Sequence, residues 1–370
     1  MSDVEIGRSK RARAAYSFDD VSLVPSRRTR DDALVSLDWK IDAYSFKHPI
    51  IAAPMDSVVS PSSAKTFAAA GGLAILNLEG VWTRYEDPTG ILNDIAALDP
   101  KGATAKLQEI YAQPIKPELI AARIHEMRAA GITVAGALSP QRTAQFANQV
   151  VDAGVDIFVI RGTTVSAEHV SNGGEALNLK EFIYQLDVPV IVGGCATYTA
   201  ALHLMRTGAA GVLVGFGGGA AHTTLDVLGV RVPMASAVAD VAAARRDYLD
   251  ESGGRYVSVI ADGSMGRSGD VSKAIALGAD AVVVGSTFAR ATDAPGRGKH
   301  WGIEATHLEL PRGELVDLGT TGTLSEIISG PSHAADGTMN MVGALRRAMA
   351  TCGYSDLKEF QRCEVVVTPN

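Results

Sequence analysis

Short apolar runs recur along the chain, and most are separated by stretches with helical periodicity. Runs of this length, bounded by Gly, Pro or Asp, are typical of strands buried on both faces. Helices are predicted between them, for example over 62–70, 200–207 and 270–277, each followed by a glycine. The eight predicted strands cover residues 49–54, 72–77, 132–138, 156–160, 188–193, 211–215, 256–262 and 281–285.

Alternating strands and helices indicate a parallel sheet, and eight such units close into a barrel. We therefore expect residues 1–370 to form one α/β domain, a (β/α)8 or TIM barrel. The link from helix to strand also repeats itself. The similar phrases AGVD, TGAAG and LGAD contain Gly154, Gly208 and Gly278, each just before a predicted strand. Because glycine is the usual residue at a helix end, the repetition predicts the same turn three times.

Two segments interrupt this alternation. Residues 81–118 contain Pro88, Pro114 and Pro117 and are predicted to form a long, irregular excursion between the second and third strands. Residues 295–340 form a second such segment, which we interpret as a flap. Long loops in compact domains usually act as lids or binding elements.

Composition and charge exclude several classes of protein. Hydrophobic residues make up 46% of the chain and charged residues 20%, as in packed globular domains. The net charge of -7 and the absence of a long basic run argue against nucleic-acid binding. The apolar runs are too short for a membrane helix and the N-terminus has no signal pattern, so we expect a soluble cytoplasmic protein without membrane contact.

The three cysteines, Cys195, Cys352 and Cys363, are widely spaced. Their odd number and spacing fit reduced thiols and exclude a dense disulfide framework or a CxxC metal site. No metal site is expected from the sequence.

The ends of the last two predicted strands carry small residues. In barrels of this kind the active site lies at the C-terminal strand ends, often with a phosphate held after strands seven and eight. Strand seven ends in Asp262, Gly263 and Ser264, and strand eight ends in Gly285 and Ser286. Small residues let backbone N–H groups approach an anion closely. The rim is therefore predicted to hold the phosphate of a small ligand.

The segment after strand six, GFGGGAAHTT at 215–224, is the most unusual part of the sequence. Successive glycines cost backbone entropy on ordering, which favours a ligand-moulded loop over a purely structural turn. We expect a ligand to dock against this loop.

Four ordered stretches resemble the motifs of the inosine-monophosphate (IMP) dehydrogenase and guanosine-monophosphate (GMP) reductase family. Several motifs in order are specific, whereas a single GxG is not. The stretches are PIIAAPMDSVVS at 49–60, GVLVGFGGGAAHTT at 211–224, VIADGSMGRSGDVSKAIALGADAVVVGS at 259–286 and GALRRAMATCG at 343–353.

Within that family the chain most resembles the dehydrogenase-related paralogues that lack the pair of CBS regulatory domains. Segment 81–118 occupies the position of those domains and is far too short to contain them. The strand-eight loop, GSTFARATDAPGRG at 285–298, resembles the dehydrogenase version more than the reductase version. The resemblance therefore implies an IMP dehydrogenase-like oxidoreductase.

The resemblance also implies substrate-binding roles at the rim. Asp262 would accept hydrogen bonds from ribose hydroxyls, and Gly263, Gly285 and Ser286 would hold the 5′-phosphate. From the residues alone, Asp262 also fits a turn or helix-capping aspartate, and Gly285 and Ser286 fit a tight turn between strand and helix.

Other roles concern the base. Met55 would lie against the purine face, which suits a polarizable thioether, although a core methionine is the alternative. Gly217 and Gly219 would contact substrate from the glycine-rich loop, Thr224 would stand beside the reacting base, and Asp56 would support the first loop. Thr224 and Asp56 also fit ordinary helix-start residues.

The sequence departs from the family where the chemistry takes place. Family enzymes use a cysteine that attacks C2 of the purine before hydride leaves for NAD, and here that position is His222. Arg161 replaces an Asp near the nicotinamide, Ala220 replaces a phosphate-binding Ser, and Ser264 replaces a Gly. The C-terminal segment also lacks the Arg-Tyr pair that activates water.

His222 has three interpretations: an altered nucleophile or general base, a nucleotide-contacting residue in a non-catalytic site, or an exposed loop histidine. Cys195, at the end of strand five, is either a displaced reactive thiol or a buried inert one.

These features define two functional hypotheses. The first is an NAD-linked purine-nucleotide oxidoreductase with His222 at the nucleophile position, and the second is a non-catalytic nucleotide-binding paralogue that acts as a sensor or regulatory partner. A phosphosugar isomerase is a weaker third, because the purine-family motifs span the chain. The resemblance implies IMP, XMP or GMP as ligand, NAD and a monovalent cation as cofactors, and a homotetramer.

Overall fold

The eight predicted strands are present and form a closed parallel barrel. The computed structural model describes residues 3–170, 177–216 and 218–368. The strands in chain order are β1 Asp3–Gly7, β2 Lys10–Arg13, β3 Val21–Leu23, β4 Trp39–Ile41, β5 Tyr44–Phe46, β6 Ile50–Ala52, β7 Leu73–Asn77, β8 Ala135–Leu138, β9 Ile157–Arg161, β10 Val190–Cys195, β11 Gly211–Val214, β12 Ser258–Asp262, β13 Ala281–Val284, β14 Lys299–His300, β15 Val316–Asp317 and β16 Val365–Val367.

Helices follow most barrel strands and cover the outside of the barrel. Short 3-10 helices occur at Phe18–Asp20, Asp32–Leu34, Val81–Thr83 and Ile303–Thr306. The α-helices are α1 Pro61–Ala69, α2 Thr89–Ala96, α3 Ala103–Tyr111, α4 Pro117–Ala129, α5 Pro140–Asp152, α6 Leu179–Tyr184, α7 Tyr198–Arg206, α8 Thr224–Leu228, α9 Met234–Glu251, α10 Ser268–Ala276, α11 Ser286–Ala289, α12 Leu324–Ser329, α13 Met341–Cys352 and α14 Leu357–Phe360.

Strands β6 to β13 make up the barrel, and each pairs with the next in chain order. The barrel closes where β13 returns to β6, with Val282 opposite Ile50. Side chains such as Ile51, Val159 and Val284 are fully buried, as expected for strands covered on both faces. The TIM-barrel prediction is therefore confirmed, with strand bounds within a few residues of those expected.

The repeated turn between helix and strand is also present. Gly154, Gly208 and Gly278 have φ angles of +85°, +98° and +117°, in the left-handed region that favours glycine. Helix starts follow equally local rules, since Ser60 caps α1 by accepting a hydrogen bond from the backbone N–H of Ser63. These local signals explain why the strand and helix positions could be read from the sequence.

The prediction of an irregular excursion at 81–118 is wrong. The segment contains a 3-10 turn and helices α2 and α3, and α4 begins inside it. Pro88 and Pro117 mark helix beginnings, because Pro88 is the N-cap residue of α2 and Pro117 is the first residue of α4. Proline at a helix start costs no hydrogen bond, so these prolines delimit helices rather than prevent them.

Helices α2 and α3 form a second apolar cluster with the C-terminal segment. Ile95 of α2 and Leu107 of α3 are fully buried together with Trp301, Ala305 and Leu315. The excursion therefore packs on residues 301–315 of its own chain. No helix in the described ranges is long and apolar enough to cross a membrane.

Candidate active site

A cavity opens at the C-terminal ends of the barrel strands, where the sequence predicted a ligand site. Thr224 is not in its lining, and Gly217 lies outside the described residues. The predicted site residues that line it are Met55, Gly219, His222, Asp262, Gly263, Gly285 and Ser286.

On one side of the cavity, the loops after β11 and β12 lie in direct contact. The Ser264 hydroxyl donates a hydrogen bond to the carbonyl oxygen of Gly218 at 3.1 Å. A Cβ atom at Gly218 would lie 2.7 Å from that hydroxyl oxygen, so a side chain there would displace the hydroxyl. Ser264 itself has a φ of +59°, which is uncommon for a residue with a side chain. Its hydroxyl thus fastens the two loops together.

Asp262 makes an ion pair that the sequence did not predict. Arg161, at the end of β9, donates from Nε to Oδ2 of Asp262 at 2.8 Å, and the two side chains are 18% and 11% exposed. Burial lowers the pKa of Arg161, but the attraction of Asp262 and Glu304 outweighs it and raises the pKa. The guanidinium is therefore a fixed positive charge in the cavity wall.

His222 lies beside a buried carboxylate. Its Nδ1 is 3.7 Å from Oε2 of Glu304, and both side chains are 10% exposed. Burial raises the pKa of Glu304, yet the nearby charges of His222 and Arg161 lower it overall. The interpretation of His222 as an exposed loop histidine is therefore wrong.

Two glycines make room for the imidazole ring. A Cβ atom at Gly219 would lie 3.0 Å from Cδ2 of His222. A Cβ at Gly302 would lie 3.4 Å from Cε1 of His222 and 3.3 Å from Cε of Met55. The ring thus has room at two edges, and Cε of Met55 lies near the same glycine, Gly302.

The C-terminal segment contributes polar residues to the cavity that sequence reasoning missed. His300 and Glu304 both line the cavity. His300 hydrogen-bonds through Nδ1 to the Ser57 hydroxyl at 2.9 Å, and burial lowers its pKa to about 3. The available signal was the presence of His300 and Glu304 beside the apolar Trp301 and Ile303 in the predicted flap.

Backbone hydrogen bonds fasten the His222 loop to the same segment. Residues His222 and Gly313 form an antiparallel bridge. The N–H of Thr223 donates to Arg312 O at 3.0 Å, and the N–H of Glu314 donates to Ala221 O at 2.9 Å. The loop with the altered residue and the C-terminal segment therefore form one structural unit.

Asp56 supports the first loop as the resemblance implied. It is buried and accepts hydrogen bonds from the Val81 N–H at 2.8 Å and from the Tyr111 hydroxyl. Tyr111 in turn accepts a hydrogen bond from Nε1 of Trp301 at 2.8 Å. Burial raises the pKa of Asp56 to about 6.

Thr224 is the first residue of α8 and is fully buried.

None of the three cysteines lines the cavity. All three are buried, and Cys195 is 1% exposed. Burial raises the pKa of the Cys195 thiol to about 12, so it carries almost no thiolate at neutral pH. The structure thus favours the inert interpretation of Cys195.

Comparison with known proteins assigns the family. A model of the IMP dehydrogenase / GMP reductase domain matches residues 15–313, and the chain belongs to that family. An uncharacterized oxidoreductase of Mycolicibacterium smegmatis is 50% identical over 98% of this chain and 99% of its own length. A crystal structure of an IMP dehydrogenase/GMP reductase-like protein from Corynebacterium glutamicum is 48% identical, has a TM-score of 0.94, and is matched over 99% of this chain and 97% of that one.

A named dehydrogenase is a more distant relative. The inosine-5′-monophosphate dehydrogenase of Methanocaldococcus jannaschii is 26% identical, with 97% of this chain and 94% of that protein covered. That alignment spans 490 positions, against 370 residues here, so the archaeal protein contains additional residues within the aligned region. The chain is thus a family member that forms one barrel, and its described residues contain no inserted CBS domain.

Proposed function

We propose that the rim cavity binds a purine nucleoside 5′-monophosphate, IMP, XMP or GMP, and that the protein does not oxidise IMP through a cysteine adduct. The observation that carries this proposal is the composition of the cavity wall. It contains Asp262, Gly263, Gly285 and Ser286, while the nucleophile position holds His222.

The phosphate and ribose would lie on the side of β12 and β13. Gly263 and Gly285 expose backbone without side-chain obstruction, and Ser286 adds a hydroxyl that can donate to a phosphate oxygen. Asp262 would accept a ribose hydroxyl while Arg161 holds its Oδ2. The fixed charge of Arg161 also balances that of Asp262, which favours an anionic ligand nearby.

The purine would lie between the Met55 thioether and the His222 loop. Met55 is 6% exposed and lines the cavity, so it presents an apolar, polarizable surface to a flat ring. Met55 and His222 both lie beside Gly302, so the thioether and the imidazole line the same part of the cavity.

The wall is poorly suited to the dehydrogenase chemistry. The chain has three cysteines and none is at the cavity, so a thiolate adduct has no nucleophile. Arg161 replaces the Asp that the resemblance sets beside the nicotinamide, and its guanidinium is paired with Asp262. The carboxylate that the family sets beside oxidised NAD is therefore missing from this position. These differences favour a nucleotide-binding member that acts as a sensor or regulatory partner.

Thermal unfolding with a ligand panel tests the binding proposal. A ligand at 100 times its Kd should add about 2.7 kcal/mol to the free energy of unfolding. We expect IMP, XMP or GMP to raise the Tm more than ribose 5-phosphate or inorganic phosphate does. An unrelated sugar phosphate that raises the Tm while all three nucleotides leave it unchanged would show that the purine proposal is wrong.

The catalytic part is tested separately by NADH absorbance with IMP and NAD. We expect the natural protein to form no NADH above background. Sustained NADH formation would show that His222 or another group replaces the cysteine.

The homotetramer expected for the family is a further proposal. Segment 81–118 packs on its own chain, so it gives no support for covering a neighbouring subunit. Light scattering tests the assembly, and a mass near the 38.6 kDa of one chain would contradict a tetramer.

A further inference from the structure

The buried carboxylate beside His222 has an unusual environment. In the described part of the chain, Oε2 of Glu304 is buried without a hydrogen-bond partner. Its ion-pair partner is His222, whose Nδ1 lies 3.7 Å away. An acceptor buried without a donor is costly, so this oxygen needs an N–H group.

Arg161 is a poor source of that N–H group. Its Nε donates to Asp262 at 2.8 Å, and its other guanidinium nitrogens form no hydrogen bond or ion pair with Glu304, so its effect on that carboxylate is electrostatic. Arg312 acts on Glu304 in the same electrostatic way, while its Nη1 donates to the Thr163 hydroxyl at 3.1 Å. His300 also faces His222, but its low pKa of about 3 keeps its ring neutral. The His222 ring is therefore the neighbour best placed to donate.

We propose that Glu304 is a positioning residue: it holds His222 with Nδ1–H directed at the carboxylate, so that Nε2 is presented to the base of the bound nucleotide. This inference rests on the proposed function and assigns the orientation of one ring within that site. A carboxylate can only accept, so Nδ1 carries the hydrogen whether the ring is neutral or charged. In the neutral ring, Nε2 is then an acceptor for an N–H of the purine.

Two glycines leave room for the ring and the carboxylate in this arrangement. A Cβ at Gly219 would lie 3.0 Å from Cδ2 and 3.7 Å from Nε2 of His222. A Cβ at Gly302 would lie 2.8 Å from Oε2 of Glu304 and 3.4 Å from Cε1 of His222. Because glycine has no Cβ, no side chain separates the imidazole from the carboxylate at Gly302.

Nitrogen-15 NMR of histidine-labelled protein reads the hydrogen position directly. The His222 signals are assigned by their loss in His222→Gln. We expect the neutral ring of the natural protein to carry its hydrogen on Nδ1, and Glu304→Gln to retain this form because the amide oxygen still accepts. Glu304→Ala should shift the ring toward the Nε2–H form, while Glu309→Ala, at an exposed position in the same segment, should leave it unchanged.

Titration calorimetry with IMP and GMP measures the consequence for binding. Glu304→Ala should weaken the binding of the tighter-binding nucleotide about tenfold, and Glu304→Gln should retain most of the affinity of the natural protein. An Nε2–H form of His222 in the natural protein would overturn the inference even if both nucleotides bind. Conversely, an Nδ1–H form in a protein that binds no purine nucleotide would support the orientation of the ring by Glu304 and contradict the proposed function.

Discussion

The two halves of the rim cavity are built in different ways. The phosphate half, named for the ligand group proposed to lie there, consists mainly of backbone in the loops that follow β12 and β13, at Gly263 and Gly285. The base half, likewise named for the proposed ligand, consists of side chains from distant segments, among them His222 and Glu304. Backbone groups survive many substitutions, whereas side-chain chemistry changes with one. A relative can therefore keep the binding half of a site and lose the reactive half.

The largest expected effect concerns the reactive half. Returning both altered positions to the family residues, with His222→Cys and Arg161→Asp, should allow NADH to form from IMP and NAD as a single burst. Removing a catalytic nucleophile commonly costs on the order of 10⁴-fold or more in rate, so the natural protein should show no burst. Stopped-flow absorbance measures this, together with mass spectrometry for an adduct at position 222.

Turnover after the burst should stay slow, because residues 295–340 contain no Arg-Tyr pair to activate water. The control is His222→Ser with the same Arg161→Asp change, which supplies a weaker nucleophile. A burst of equal size in that control would mean that the missing thiol does not explain why the natural protein shows no burst.

The next effect concerns the support of the base half. Trp301→Ala should lower the free energy of unfolding by about 3–5 kcal/mol, because Trp301 is 1% exposed within the second apolar cluster. Urea denaturation measures the loss. Leu308→Ala is the matched control, since Leu308 is 73% exposed in the same segment and its change should be about 0.5 kcal/mol or less. Equal losses in the two variants would show that the cluster does not stabilise the fold.

Asp56 predicts a pH effect of intermediate size. Its pKa is about 6 in the folded protein against an ordinary 3.8, because burial disfavours the charged carboxylate. The folded state therefore binds more protons, and this contribution is present below pH 3.8 and lost as the pH rises through 6. Asp56→Asn should make the free energy of unfolding less dependent on pH in this window, by about 3 kcal/mol at most. Urea denaturation from pH 4 to pH 7 measures it, and an unchanged slope would contradict it.

The smallest expected effect tests the binding half. Asp262→Ala should weaken the binding of a purine nucleotide about tenfold, because a ribose hydroxyl loses a charged acceptor. Inorganic phosphate, which has no ribose, should lose less affinity. Calorimetry with both ligands measures the difference, and an equal loss for both would mean that Asp262 does not recognise the ribose.

The sequence predicted the parts of the molecule that depend on neighbouring residues. Barrel strands and turns such as the one at Gly278 follow local rules, and they were placed within a few residues. The helices in 81–118 were missed because Pro88 and Pro117 were interpreted as breaks rather than as helix starts.

Contacts between distant residues could not be predicted. Arg161 and Asp262 are far apart in sequence and meet only because β9 and β12 end at the same rim. Glu304 has no motif of its own, and its position beside His222 follows from the packing of Trp301 on α3. The identity of residue 222 was visible in the sequence, but its environment depends on the C-terminal segment.

The backbone pairing of residues 221–223 with 312–314 has a consequence for how such a site can change during evolution or design. The main-chain hydrogen bonds would persist if either segment were exchanged alone, but the side chains that meet beside the pairing, His222 and Glu304, would not remain matched. The unit that surrounds position 222 in this chain is therefore discontinuous: the loop after β11 and a segment some ninety residues later would have to be transplanted as a pair.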